Sequence, residues 1–282
     1  MSLTTTPILP PHACDTHSHI YGDAQTYSVL PGHRNDPGVL LDDYLRVAQS
    51  LGLERLVLVQ PKAYGNNPAC MLEIIAQLGV ARARGIIMPD EHLTSSDLKR
   101  LDHTGIRGVR YLFPDDAPID TAGIRAMANK IAPLQWSLIV QGGGVALADS
   151  FNALTNLPCP VVIDHLGRLP SHFAVDSREF QALVNFVSHG GWIKLAAPYY
   201  STPNGDADFH MVTSRVHALL DAGIERIIWG MNWPHPNFLP GCKPDDTHSL
   251  RSFLNVLRSP SEQHAIFVEN PARLYGFTAV VN

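Results

Sequence analysis

Cys14-Asp15-Thr16-His17-Ser18-His19 closes the first apolar run of the chain. Side chains alternate across a strand, so His17 and His19 share one face. Two imidazoles side by side can hold a metal ion or polarise a carbonyl oxygen. One His-x-His among 14 histidines in 282 residues carries little weight alone. It gains weight because later apolar runs end in Asp164-His165 and in Gly230-Met231-Asn232-Trp233-Pro234-His235. The rest of the chain reads as a means of bringing those ends together.

Working outward, strands are expected at 13–20, 55–60, 84–88, 107–113, 137–141, 161–165, 192–196 and 226–230. Each is short and apolar. Helical spacing follows at 41–53, 69–78, 94–103, 122–131, 147–154, 178–188, 209–221 and 247–257, with Thr94 or Ser95 as an N-cap. A last helical segment, 262–275, is placed under or beside the sheet. Eight strand–helix repeats are the number that closes a TIM barrel, whose typical length is ~250 residues. The fold class is therefore α/β, a single (β/α)8 TIM barrel with a C-terminal helical extension, one domain over 1–282 with 1–11 as an irregular arm. A doubly wound open sheet would want a Gly-rich phosphate turn after the first strand, where this chain has histidines. The long Gly/Pro/Asn/Asp-rich loop 21–39 has the length of a functional loop.

Composition narrows the partners. A net charge of −5 argues against nucleic acid or an anionic membrane as the main partner. No apolar run approaches the ~20 residues of a membrane span, and the Thr/Pro-rich start is no signal peptide. The four cysteines, Cys14, Cys70, Cys159 and Cys242, form no C-x-x-C pair and read as small apolar fillers in a cytoplasmic chain. A monomer or small homo-oligomer acting on a small molecule is expected.

In a TIM barrel the catalytic groups come from the C-terminal strand ends. The unusual polar residues sit there: His17 and His19 on strand 1, Arg110 on strand 4, Gln141 on strand 5 and His165 on strand 6. Lys194 and Tyr199 lie on or after strand 7, with Asn232 and His235 after strand 8. Each has a plainer reading; Arg110, for example, would equally suit a helix-facing salt bridge. Their shared position is the argument.

Five motifs in register resemble one family: Asp15-Thr-His-Ser-His19, Val59-Gln-Pro61 with Tyr64-Gly65, Gly105-Ile-Arg-Gly-Val-Arg110, Ile163-Asp-His-Leu-Gly-Arg168 and Trp229-Gly-Met-Asn-Trp-Pro-His-Pro236. The chain resembles the amidohydrolase superfamily, in the branch of 2-pyrone-4,6-dicarboxylate lactonase, sugar-acid lactonases and D-galactarolactone isomerase, over about 12–276. The resemblance implies a lactone hydrolase. His17, His19 and His165 would polarise the lactone carbonyl, and Arg110 would anchor a carboxylate. Tyr64, Gln141, Lys194, Tyr199 and His235 would contact substrate. It implies no required metal or other cofactor, with His17, His19 and His165 as ligands should adventitious zinc bind. The family's general base falls on position 232, where this chain has Asn. An amide has no useful proton affinity near neutrality. Because the neighbours of Asn232 are retained, an Asp-to-Asn substitution made to trap substrate is favoured over a natural protein with altered chemistry. Two further arginines of the dicarboxylate lactonase fall near Asp116 and Tyr200, so a lactone with one carboxylate and several hydroxyls, or a neutral one, is expected. The alternatives are a lactone isomerase, a metal-dependent decarboxylase and a non-catalytic lactone or sugar-acid binding protein.

Overall fold

The computed structural model describes residues 9–33 and 39–278, so most of the expected N-terminal arm and residues 34–38 of the loop 21–39 lie outside the described residues. Eight apolar runs form β1 (Cys14–Ser18), β2 (Arg55–Val59), β3 (Ala83–Ile87), β4 (Ile106–Leu112), β5 (Ser137–Gln141), β6 (Val161–Ile163), β7 (Trp192–Ala196) and β8 (Ile227–Gly230). They pair in sequence order, every pair parallel. The seam between β8 and β1 closes just past the strand ends. There Asn232 N–H donates to His17 O and His19 N–H to Trp233 O, both across 2.7 Å. Thr16 Oγ1 adds a bond to Trp229 O, also at 2.7 Å. Gly230 permits the approach, since a Cβ there would lie 2.6 Å from His17 Cβ. This is the (β/α)8 barrel that the repeat count implies.

Helices α1 (Leu41–Leu51), α2 (Ala69–Leu78), α3 (Ser95–His103), α4 (Thr121–Ile131), α5 (Gly144–Thr155), α6 (Arg178–Ser188), α7 (Thr213–Gly223) and α8 (Asp246–Val256) flank the barrel. Thr94 is the cap of α3: its hydroxyl accepts from Asp97 N–H while Asp97 reaches back to Thr94 N–H, a reciprocal capping box. Most boundaries differ from expectation by a residue or two, and three differences have a visible cause. The helix expected from 209 opens as a 3-10 turn, Phe209–Val212, because Asp208 accepts from His210 N–H and Phe209 N–H is held by Ser252 Oγ. Helix α5 starts at Gly144, earlier than the apolar spacing indicated, and a Cβ there would meet Leu169 at 2.5 Å. Strand β6 stops at Ile163 because His165, Leu166, Gly167 and Arg168 all take positive φ.

Two apolar layers result. Outside the sheet, helix faces pack on Leu56, Leu58, Val109, Leu138, Val140 and Ile163. Inside, Val57, Val59, Ile86, Ile139, Val162 and Ile228 meet Leu274, Tyr275 and Phe277 from the C-terminal segment. That segment runs α9 (Pro260–His264), a π-turn (Ala265–Glu269) and α10 (Asn270–Tyr275). It plugs the N-terminal end of the barrel, held by Arg84 Nε to Tyr275 O at 3.0 Å and Arg55 Nη2 to Thr278 O at 2.9 Å. The strand ends that carry the polar residues open at the other, C-terminal mouth. Among the described residues no helix is long and apolar enough to cross a membrane. All four cysteines are free thiols.

Candidate active site

The strand alternation of β1 holds: His17 and His19 point the same way, with their Nε2 atoms 3.2 Å apart. Asp15 fixes this end of the strand. Its Oδ1 accepts from His17 N–H and Met231 N–H, both at 2.9 Å, and its Oδ2 from Ser18 and Tyr44 hydroxyls. His19 Nδ1 lies 2.9 Å from Val59 O. A carbonyl oxygen only accepts, so His19 carries its proton on Nδ1 and presents a lone pair at Nε2.

Asp164 is the buried hub. Lys194 Nζ lies 3.1 Å from its Oδ1, and Arg110 Nε donates to its Oδ2 across 2.7 Å. Lys194 Nζ is also 3.1 Å from His17 Nδ1. Arg110 Nη2 donates to Gln141 Oε1 at 2.6 Å and lies 3.4 Å from His165 Nε2. Burial alone would raise the Asp164 carboxyl, but the positive neighbours, led by Lys194, hold it well below the usual carboxylate range. Burial, then Lys194, pushes His17 well below the ordinary imidazole value. Burial and then Arg110 push His19 down to about 3, and burial lowers His165 in the same direction. The histidines are therefore neutral near pH 7, and two cations face one carboxylate. Arg110 and Lys194 supply the positive charge at this floor.

The end of β8 supplies a second chain. Asn232 takes φ +62° and His235 φ +57°. Asn232 Nδ2 donates to Tyr199 Oη across 2.5 Å; Tyr199 Oη lies 3.1 Å from His235 Nδ1, and His235 Nε2 2.9 Å from Asp246 Oδ1. The amide can only donate through Nδ2, so Tyr199 donates onward to His235 and His235 to Asp246. Asn232 Oδ1 is left to accept from water or a substrate hydroxyl.

Above these groups lies a cavity of about 530 Å³. His19, Arg110, Gln141, His165 and Asn232 line it directly. His17 and Lys194, both 0% exposed, sit beneath its floor, and Tyr199 and His235 stand behind Asn232. Tyr64 is not in the wall: its hydroxyl accepts from Gly22 N–H at 2.9 Å and so shapes the loop after β1. Other wall residues were not singled out from the sequence as site residues. Arg168 lies with its guanidinium 4.3 Å over the Tyr200 ring and donates to Asp115 at 2.8 Å. Tyr200 Oη accepts from Asn237 Nδ2 at 2.6 Å. Asp164 was quoted only as the neighbour of His165. These groups lie in irregular turns, where no periodicity marks which way a side chain points. The strand-end position of Asp164 beside a histidine was the available signal.

His17, Asp164 and His165 bring one potential metal-ligating atom each within 4.8 Å of one another. As hydrogen-bonded here, that set does not fit a divalent cation. Both Asp164 oxygens face fixed cations, Lys194 and Arg110, and His17 Nδ1 faces the Lys194 ammonium. His165 Nδ1 is buried and has no hydrogen-bond partner among the described residues, a single unclaimed nitrogen.

A closed parallel barrel with paired histidines on its first strand and polar groups converging on one mouth defines an amidohydrolase-type site. The chain belongs to the amidohydrolase family, which it matches over residues 14–277. It is 29% identical over 274 residues to the 4-sulfomuconolactone hydrolase of Rhizobium radiobacter, covering 95% of this chain and 91% of that protein. It is 29% identical over 283 residues to the D-galactarolactone isomerase of Agrobacterium fabrum, covering 97% and 94%. The crystal structure of an Agrobacterium tumefaciens protein in its apo form superimposes with a TM-score of 0.85 at 28% identity, covering 97% of this chain and 99% of that one.

Proposed function

We propose that this protein is a cytoplasmic lactonase that opens the ring of a polyhydroxylated lactone bearing one carboxylate, using water and no required metal. The observation that carries the reading is the cavity wall itself, in which His19, His165 and Asn232 stand beside Arg110 over the buried Lys194 ammonium. Attack on a lactone carbonyl develops negative charge on its oxygen, and preorganised positive groups in a dry site stabilise that charge. Arg110 supplies charge but is already paired with Asp164 through Nε. Arg168, whose guanidinium lies on the Tyr200 ring, is paired with the exposed Asp115 rather than with a buried carboxylate. That partner exchanges more readily, so Arg168 is the better anchor for a substrate carboxylate. Gln141, Tyr200 and Asn237 suit substrate hydroxyls. Asn232 Oδ1 can orient the attacking water without accepting its proton, so turnover is expected to be slow. Four free thiols and a chain of moderate negative charge support the cytoplasmic placement.

A second reading, lactone isomerisation, draws support from the same amide: a substrate hydroxyl can replace a water that Asn232 does not activate. The test incubates the protein with monocarboxylated sugar-acid lactones, neutral aldonolactones and a pyrone dicarboxylate, following free acid by titration and new lactones by NMR. Slow release of acid from the monocarboxylated lactones is expected. A second lactone in place of acid would establish isomerisation, and tight binding with no product would make the protein a binding module.

A further inference from the structure

His17 and His19 meet Nε2 to Nε2 across 3.2 Å, and His19 brings no proton to that contact. Two imidazole lone pairs facing each other at this distance repel unless a proton or a cation lies between them. His17 must therefore carry its proton on Nε2, or a metal ion must occupy the gap; zinc–nitrogen bonds of about 2.0–2.1 Å would span it. The choice is made on the other side of the ring. His17 Nδ1 has two neighbours, Lys194 Nζ at 3.1 Å and Asp164 Oδ1 at 3.4 Å. An ammonium donates to Nδ1 and leaves the proton on Nε2; a carboxylate would draw the proton to Nδ1. Lys194 is the nearer, lies completely buried, and is held in place by Asp164 at 3.1 Å.

We infer that Lys194 is the resident cation of this site: it fixes His17 as the Nε2–H tautomer and so takes the part that a divalent metal would otherwise play at the histidine pair. Lys194 is a positioning residue acting through His17, not a substrate contact. The inference does not depend on which lactone, or whether any lactone, is turned over. Without the ammonium, His17 turns its proton toward Asp164, both Nε2 lone pairs face the gap, and the pair becomes a metal site.

The test uses full-length protein, dialysed against chelator and labelled with 15N-histidine, and the variant Lys194→Met, which keeps the length of the side chain and removes its charge. In the unsubstituted protein the His17 resonances should show a protonated Nε2 and an unprotonated Nδ1. In Lys194→Met they should show the reverse. Titration with zinc chloride alone should give at least about tenfold tighter binding to Lys194→Met, and His19→Gln in that background should abolish the gain. A protonated Nδ1 on His17 in the unsubstituted protein overturns the inference even if Lys194→Met fails to fold. Equal zinc affinity in both proteins overturns it as well. Lactone hydrolysis enters neither readout, so failure here is distinguishable from failure of the lactonase reading.

Discussion

Arg110 Nε donates to Asp164 Oδ2 across 2.7 Å, tying β4 to the end of β6 beneath the cavity. One edge of the guanidinium is thus committed to the protein, and Nη2 is engaged by Gln141. A lysine keeps the charge but cannot serve both acceptors with fixed geometry. Arg110→Lys is expected to lower folding stability by about 1–3 kcal/mol, alongside any loss of ligand affinity. Urea unfolding checks this; an unchanged midpoint would mean that Arg110 serves substrate alone.

Position 232 separates binding from turnover. Asn232→Asp keeps the shape of the site and adds a proton acceptor. Hydrolysis is expected to rise by at least about 10²-fold with substrate affinity changed much less. The rate profile should gain an acidic limb that the Asn232 protein lacks. If Asn232 protein already turns a lactone over at an ordinary enzymatic rate and Asp brings no gain, water is activated elsewhere.

Tyr199 joins Asn232 to His235. Tyr199→Phe removes both bonds and leaves a buried amide hydrogen and a ring nitrogen unpaired. A loss of about 1–3 kcal/mol in stability is expected. Freed from its clamp, Asn232 should also bind hydroxylated lactones less tightly. Thermal unfolding and a binding titration on the same variant read the two effects.

Stability should fall with acid well before the carboxylates protonate. The folded values of His17, His19 and His165 lie below the ordinary imidazole value, that of His19 at about 3. The unfolded chain takes up protons below about pH 6.5 while these three rings do not. Folding free energy is therefore lost as pH falls from about 6.5, by roughly 1.4 kcal/mol per unit for each ring and about 4 for the three together. Asp164 is also displaced downward, but from a carboxylate's lower starting value: its contribution is fully present above about pH 4 and is lost as pH falls below that through its depressed folded value. Chemical denaturation at pH 7.5, 6 and 5 should show the decline, and a flat profile would contradict it.

The seam of the barrel offers a test of the fold. A methyl group on residue 230 would lie 2.6 Å from His17 Cβ and 3.0 Å from His17 N. Gly230→Ala should cost about 1–3 kcal/mol through forced separation of β1 and β8. Because His17 moves with β1, it should also disturb the His17–His19 contact, visible in the imidazole NMR signals.

What the sequence determined by itself was periodic. Eight apolar runs, each followed by helical spacing, sufficed for the barrel, because burial on both faces of a parallel strand leaves a continuous apolar signature. The His17–His19 pairing followed from strand alternation alone. The strand-end positions of Arg110, Gln141 and His165 were equally legible, although the inward direction of Arg110 was not. Tertiary structure decided which polar group meets which. Asp164 became the hub because β4, β6 and β7 bring Arg110 and Lys194 to the same carboxylate, a contact that joins residues 54 apart in the chain in the case of Arg110. Tyr64 proved to hold a loop, while Arg168 and Tyr200 took the wall, because their turns follow no repeat that fixes side-chain direction. The proton positions on His17 and His19 were the furthest from sequence. They depend on distances of about 3 Å to Lys194 and Val59, set only when the closed barrel brings separate strands together.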